Sequence, residues 1–174
     1  MKAPKKAFYF SDLGVTFFRE NNELKTFSIL ANTGQVIPNH YLYGPLVIDL
    51  ESLSVGSQKK PVLFNNDPNR IVGYTTKITK DEKGLIAEGV FSLASDDGKY
   101  VYDLADEGFP WQASIYAPPL SIEKIAEGVE VKINGHKLKG PLSVFRNARL
   151  REISFCVLGA DEDTSAKSLK EVKK

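Results

Sequence analysis

Short runs of β-branched and aromatic residues alternate along this chain with turn-forming residues, and that rhythm predicts strands throughout. Nine such runs, at 25–31, 45–50, 61–64, 71–78, 85–91, 112–117, 129–133, 142–145 and 152–158, are bounded by Gly, Pro, Asn or Asp. The polar connection 79–84 between the fourth and fifth runs reads as a hairpin loop. Asn134-Gly135, where both residues tolerate positive φ, marks a tight turn into a further extended stretch. One segment has helical period instead. From Asp96 to Glu107 the positions of Val101, Leu104 and Ala105 share one face. Ser95 caps it, Asp96 and Asp97 suit its positive end, and Gly108 with Pro110 ends it. A weaker helical pattern covers 121–126. Residues 161–174 are polar and predict a flexible tail behind a single domain over 1–160. The class is therefore α+β but strand-dominated, and strands of this number and spacing suit a barrel or a sandwich.

Composition narrows this little. The chain has 174 residues, enough for one domain with its own core. A net charge of +1 gives no reason to expect nucleic acid or an anionic membrane as the main partner. The basic start, residues 1–6, is followed by only four apolar residues before Ser11-Asp12, too short for an export signal. No apolar stretch approaches the roughly 20 residues of a membrane span. The expectation is a soluble, unexported protein. Cys156 is the only cysteine, so it forms no internal disulfide, and its apolar run suits a buried thiol.

Candidate chemistry begins at the strand after the helix, Trp111-Gln112-Ala113-Ser114-Ile115-Tyr116. Alternation puts Gln112, Ser114 and Tyr116 on one face. A serine there is usually solvated or bonded to backbone; its neighbours in sequence change that reading. Pro61-Val62-Leu63-Phe64-Asn65-Asn66-Asp67-Pro68 with Ile71-Val72-Gly73, then Gly84-Leu85-Ile86-Ala87-Glu88-Gly89, then the Ser114 strand, then Leu150-Arg151-Glu152-Ile153-Ser154-Phe155 with Gly159-Ala160-Asp161, follow one another in a telling order. Together, over about residues 47–164, they resemble the prohead (capsid-maturation) serine protease family of tailed phages.

The resemblance implies a mostly antiparallel β-barrel flanked by a few helices, related to herpesvirus capsid proteases. It implies scaffold and major capsid proteins as peptide substrates, self-cleavage, and work inside the assembling prohead in the host cytoplasm. It places Ser114 at the nucleophile position. The family's histidine falls in a His-Asp pair after the apolar strand, and here that pair reads Asn66-Asp67. A carboxamide is no base near neutral pH, and loss of a triad member costs a factor of about 10⁴ to 10⁶ in rate. Glu152 is the candidate third member; a salt bridge with a nearby arginine explains it equally well. Asp67 reads as a turn residue, and one of Arg146, Arg149 and Arg151 is a candidate for an oxyanion site.

Two histidines remain. His40 sits on a loop that could fold over the site, and His136 sits beside the 134–135 turn; an exposed imidazole is the commoner explanation of each. Neither has carboxylates at metal-ligand spacing, and nothing resembles a phosphate loop, so no cofactor or metal is expected. Two functions stay open: a capsid-maturation protease, active through another base or inactivated, and a non-catalytic assembly or scaffolding protein on the same fold.

Overall fold

A computed structural model describes residues 8–11, 14–17 and 24–169. The strands, in chain order, are β1 Phe8–Ser11, β2 Gly14–Phe17, β3 Thr26–Asn32, β4 Ile37–His40 and β5 Gly44–Ile48. After these come β6 Pro61–Phe64, β7 Asp67–Asp81, β8 Gly84–Phe91, β9 Gln112–Tyr116 and β10 Ser121–Ile125. The last five are β11 Glu130–Ile133, β12 His136–Lys139, β13 Leu142–Arg146, β14 Glu152–Cys156 and β15 Ser165–Leu169. Among the described residues there is one helix, α1 Asp96–Glu107. The strand-dominated α+β class read from the sequence is the observed one.

Seven strands form the main sheet in the order β15-β3-β8-β7-β6-β14-β9. Its pairs are antiparallel except β6 with β14. The two ends of this sheet nearly meet: Trp111, just ahead of β9, bridges Ala166 of β15, whose N–H donates to the Trp111 carbonyl at 2.9 Å. The result is a nearly closed barrel, which removes most of the free edge that an open sheet would carry. A second sheet, β10-β13-β5-β4, packs against one end of it, and β11-β12 and β1-β2 are separate hairpins.

Aromatic rings fill the barrel. Phe27 meets Phe91 and Phe155 edge-on at 5.1 and 5.5 Å, and Trp111 meets Phe64 and Phe155 at 5.7 and 6.0 Å, spacings at which edge-to-face pairs gain beyond their buried area. Backbones approach too closely for side chains at several glycines, and two of them position the core and the helix. A Cβ on Gly89 would lie 2.3 Å from the Tyr74 carbonyl oxygen and 2.3 Å from the Phe27 ring. One on Gly98 would lie 2.2 Å from the Ser92 carbonyl oxygen, which lets α1 sit down on β7.

Helix α1 has the ends its sequence encodes. Ser95 accepts the Gly98 N–H at 3.2 Å, and Gly108 ends the helix at φ 91°. Val101 and Ala105 are buried beneath it, with Leu104 partly so.

Two expectations are corrected. Residues 121–126 are not helical; Ser121–Ile125 is the edge strand β10, paired with β13 along its whole length. An Arg146–Glu123 ion pair across that pair, at 2.8 Å, favours the extended form. The expected flexible tail contributes β15, in register with β3 from Ser165↔Leu30 to Leu169↔Thr26. Only Ala166 is buried in it, so tertiary pairing rather than apolar content makes this strand. Residues 170–174 and the basic start lie outside the described residues.

Candidate functional site

Strands β9, β14 and β6 lie side by side, and their register decides what faces what. Ser114 is opposite Ser154, Tyr116 opposite Glu152, and Gln112 opposite Cys156. Because side chains alternate, Ser114, Glu152, Ser154 and Cys156 share one face, while Ala113, Ile153 and Phe155 point into the aromatic core. Every residue of β14 is nonetheless buried. The second face is roofed by residues of the other sheet and of 40–43, enclosing a cavity of about 760 Å³.

Ser114, Asn66, Glu152 and His40 all line that cavity. They come from four separate parts of the chain. The lining is otherwise mostly apolar, with Ile37, Leu46, Leu63 and Phe145 among its walls. Its size and character match those of small-molecule and peptide clefts.

Asn66 is placed by the β6–β7 turn. Phe64 pairs with Asp67, so Asn65 and Asn66 are the two loop residues, at φ 52° and 58°. A two-residue hairpin loop of this hand needs positive φ at both positions, which Asn tolerates better than most residues. Beyond the turn, the Asn66 N–H donates to Ser154 Oγ at 3.1 Å, and its carboxamide Nδ2 approaches Cys156 Sγ at 3.8 Å. Ser154 Oγ in turn donates to Glu152 Oε2 at 2.9 Å. A hydrogen-bonded line thus runs Asn66–Ser154–Glu152, and Ser154 is the direct cross-strand partner of Ser114. Directly opposed residues hold their Cβ atoms about 4.5–5.5 Å apart.

The electrostatics follow from enclosure. Burial pushes the Glu152 carboxyl above its ordinary range, against the opposing hydrogen bond from Ser154. Glu152 has no arginine partner among the described ion pairs, so the salt-bridge explanation does not hold. Burial, helped by the nearby Glu152 charge, pushes the Cys156 thiol up to about 11, so it is protonated and unreactive at neutral pH.

His40 ends β4 and is held by rings: it stacks on Tyr41 at 5.1 Å and meets Tyr43 at 5.2 Å. Its Nδ1 accepts the Leu42 N–H at 3.3 Å, which leaves the proton of the neutral ring on Nε2. His136 starts β12, in the separate hairpin, and is not part of the cavity. Asp67 accepts from Asn69 within its own turn. Arg146 is committed to Asp49 at 3.0 Å and Glu123 at 2.8 Å, while Arg149 and Arg151 are exposed; none of the three lines the cavity.

The cavity also borders a free strand edge. β9 is the last strand of its sheet. Ala113 turns its N–H and C=O away from β14, where the Thr164 hydroxyl takes both, at 2.9 and 3.1 Å. Two residues on, Ile115 turns its own pair to the same side, where no strand among the described residues is hydrogen-bonded to it, although β3 runs close to β9. Such an edge can accept an extended peptide as an added strand.

Asp161, Ser154 and residues 41–43 are cavity or near-cavity residues that the sequence did not single out as chemistry. Asp161 accepts the Thr33 N–H and hydroxyl, at 2.7 and 2.8 Å, and fixes the 159–164 segment over β9. No group of three or more His, Cys, Asp or Glu among the described residues is arranged to hold a metal ion.

No family model matches the chain, and no curated protein matches it. Solved structures with a similar course of the backbone include several of the Kaposi's sarcoma-associated herpesvirus protease. One, in complex with a hexapeptide phosphonate inhibitor, has a TM-score of 0.48 at 14% identity, over 84% of this chain and 66% of that one. A second, in complex with a dimer disruptor, has a TM-score of 0.48 at 15% identity, over 85% and 77%. A third, at room temperature with an allosteric inhibitor, has a TM-score of 0.46 at 17% identity, over 85% and 77%. The chain spans about two thirds of the length of the first. At this distance the likeness concerns the path of the backbone alone, and the cavity's chemistry rests on its own residues.

Proposed function

We propose that this protein is a capsid-maturation protease of the prohead type, with Ser114 at the nucleophile position and its general base absent at Asn66. The observation that carries this is the one cavity that gathers Ser114, Asn66 and Glu152, the three residues the sequence resemblance singled out from far-apart segments. Substrate is an extended segment of a scaffold or capsid protein, lying along the free edge at Ile115 with its scissile carbonyl over Ser114. In the complete chemistry the Ser114 hydroxyl attacks that carbonyl, a base takes its proton and later protonates the leaving amine, and water releases the acyl group. Asn66 can do neither proton step. Its backbone N–H and carboxamide are occupied by Ser154 and Cys156, which supports a structural use of this residue. As it stands the site binds and orients a peptide but turns it over slowly.

The same occupation of Asn66 favours a second reading, a protease-fold protein kept for assembly inside the prohead, with peptide binding as its function. Incubating the unmodified chain and Asn66→His with scaffold and capsid proteins separates the two. Cleavage by the histidine form alone, abolished by Ser114→Ala, supports a silenced protease. Cleavage by neither favours the assembly role, and cleavage by the unmodified chain directs attention to His40.

A further inference from the structure

Three cations lie together where β9 leaves the cavity, and none has an ion-pair or side-chain hydrogen-bond partner among the described residues. The parallel register Val62↔Ile153 sets Lys60, two residues ahead, beside Arg151. Arg149 is held nearby through its bridge to Ser54. The Arg151 N–H donates to the Tyr116 carbonyl at 2.8 Å and the Arg149 N–H to the Pro118 carbonyl at 3.0 Å, and both Tyr116 and Pro118 line the cavity. Both arginines are exposed and Lys60 is half-buried. No ion pair or side-chain hydrogen bond ties up any of the three among the described residues, whereas Arg70 and Arg146 are each matched to carboxylates. Their proximity is felt at Lys60, whose pKa is lowered first by burial and then by the two guanidinium charges.

Unpaired like charges repel one another, and a complementary anion relieves them. We propose that Lys60, Arg149 and Arg151 form a subsite for acidic side chains of the bound peptide, at the Tyr116–Pro118 end of the cleft. The proposal rests on the reading of the cavity as a peptide cleft. It assigns the substrate class: an extended segment whose Asp or Glu residues flank the part held over Ser114. Polar rim charges of this kind set specificity and register more than total affinity.

The test uses two fluorescein-labelled decapeptides of one sequence, with Glu or Gln at three successive positions, and anisotropy titrations at low and high salt. The unmodified chain is expected to bind the Glu peptide about fivefold tighter at low salt, with the preference fading as salt screens it. The combined Lys60→Gln, Arg149→Gln, Arg151→Gln variant is expected to lose the preference and keep its affinity for the Gln peptide. Equal binding of the two peptides overturns the subsite and leaves the cleft reading standing. A Glu preference that survives Ser114→Trp, which obstructs the cavity at Ser114, overturns the link between cations and cleft. Binding of neither peptide removes the cleft reading and the subsite with it. Binding of a 20-base-pair DNA duplex that the triple variant abolishes, without any Glu preference, overturns the proposal in favour of a phosphate backbone.

Discussion

Replacing Ser154 by alanine tests the hydrogen-bonded line beside Ser114 directly. Ser154 is fully buried, and its hydroxyl both accepts the Asn66 N–H and donates to Glu152. A bond to a charged carboxylate is worth about 1.5–3 kcal/mol, and the orphaned Asn66 N–H adds about 1 kcal/mol. Ser154→Ala should therefore cost about 2–4 kcal/mol at pH 7. With a urea slope of about 2 kcal/mol/M, the midpoint should fall by about 1–2 M with the slope unchanged. The cost should also depend on pH. Glu152 has a folded pKa raised above its unfolded value. The wild type is thus relatively most stable below the unfolded value of about 4.5, and it loses stability as pH rises through the folded pKa. Ser154 supplies the interaction that opposes this rise, so its loss should widen the decline. The deficit of Ser154→Ala should be smaller at pH 4 than at pH 7. A midpoint shift below about 0.3 M, equal at both pH values, would refute the coupling of Ser154 to an ionisable Glu152.

Gly89→Ala should fail to fold or lose more than about 3 kcal/mol in thermal or urea denaturation, because its Cβ meets a carbonyl and the Phe27 ring at 2.3 Å. Arg146→Gln should make the protein less stable at neutral pH but less acid-sensitive: at Asp49, burial, which raises the carboxyl's pKa, is outweighed by hydrogen bonds from Ser52 and Arg146 that hold it low. A lowered pKa stabilises above the unfolded value and is lost as pH falls through the folded one, so removing Arg146 should reduce stability at pH 7 and flatten its loss between pH 4 and 2, as read by circular dichroism. Cys156 should resist iodoacetamide in the native protein at pH 8 and react once urea unfolds it, checked by mass spectrometry, since its thiol is buried and raised to about 11.

Much of the fold is written in local chemistry. Helix α1 begins and ends where Ser95 and Gly108 say it must, and Pro61–Phe64 is a strand to the residue. Elements whose state is set by distant partners are less legible. Ser121–Ile125 carries two charges in five residues and forms a strand because it pairs with β13, where Arg146 reaches Glu123 diagonally. Ser165–Leu169 has only Ala166 and Leu169 as apolar residues and is extended because β3 and Trp111 pair with it. The site divides in the same way. Ser114 and Glu152 lie on strands whose alternation shows which face they occupy. Ser154 could be placed on the Glu152 face by the same alternation, yet its role depends on β9 register and on the Asn66 turn, which no local pattern encodes. The presence of His40 in the cavity depends likewise on how β4 and the second sheet lie over β9 and β14.

The central claim is that Ser114 is a nucleophile left without its base at Asn66. An active-site-directed peptidyl phosphonate, with the modified residue located by mass spectrometry, tests it most directly. Asn66→His is compatible with the turn, since histidine is among the residues enriched at positive φ. This variant, confirmed as folded, should be labelled at Ser114 at least about 10³ times faster than the unmodified chain, and Ser114→Ala in the same background should not be labelled. A folded Asn66→His that stays unlabelled at Ser114, or equal labelling of the unmodified chain, would contradict the account.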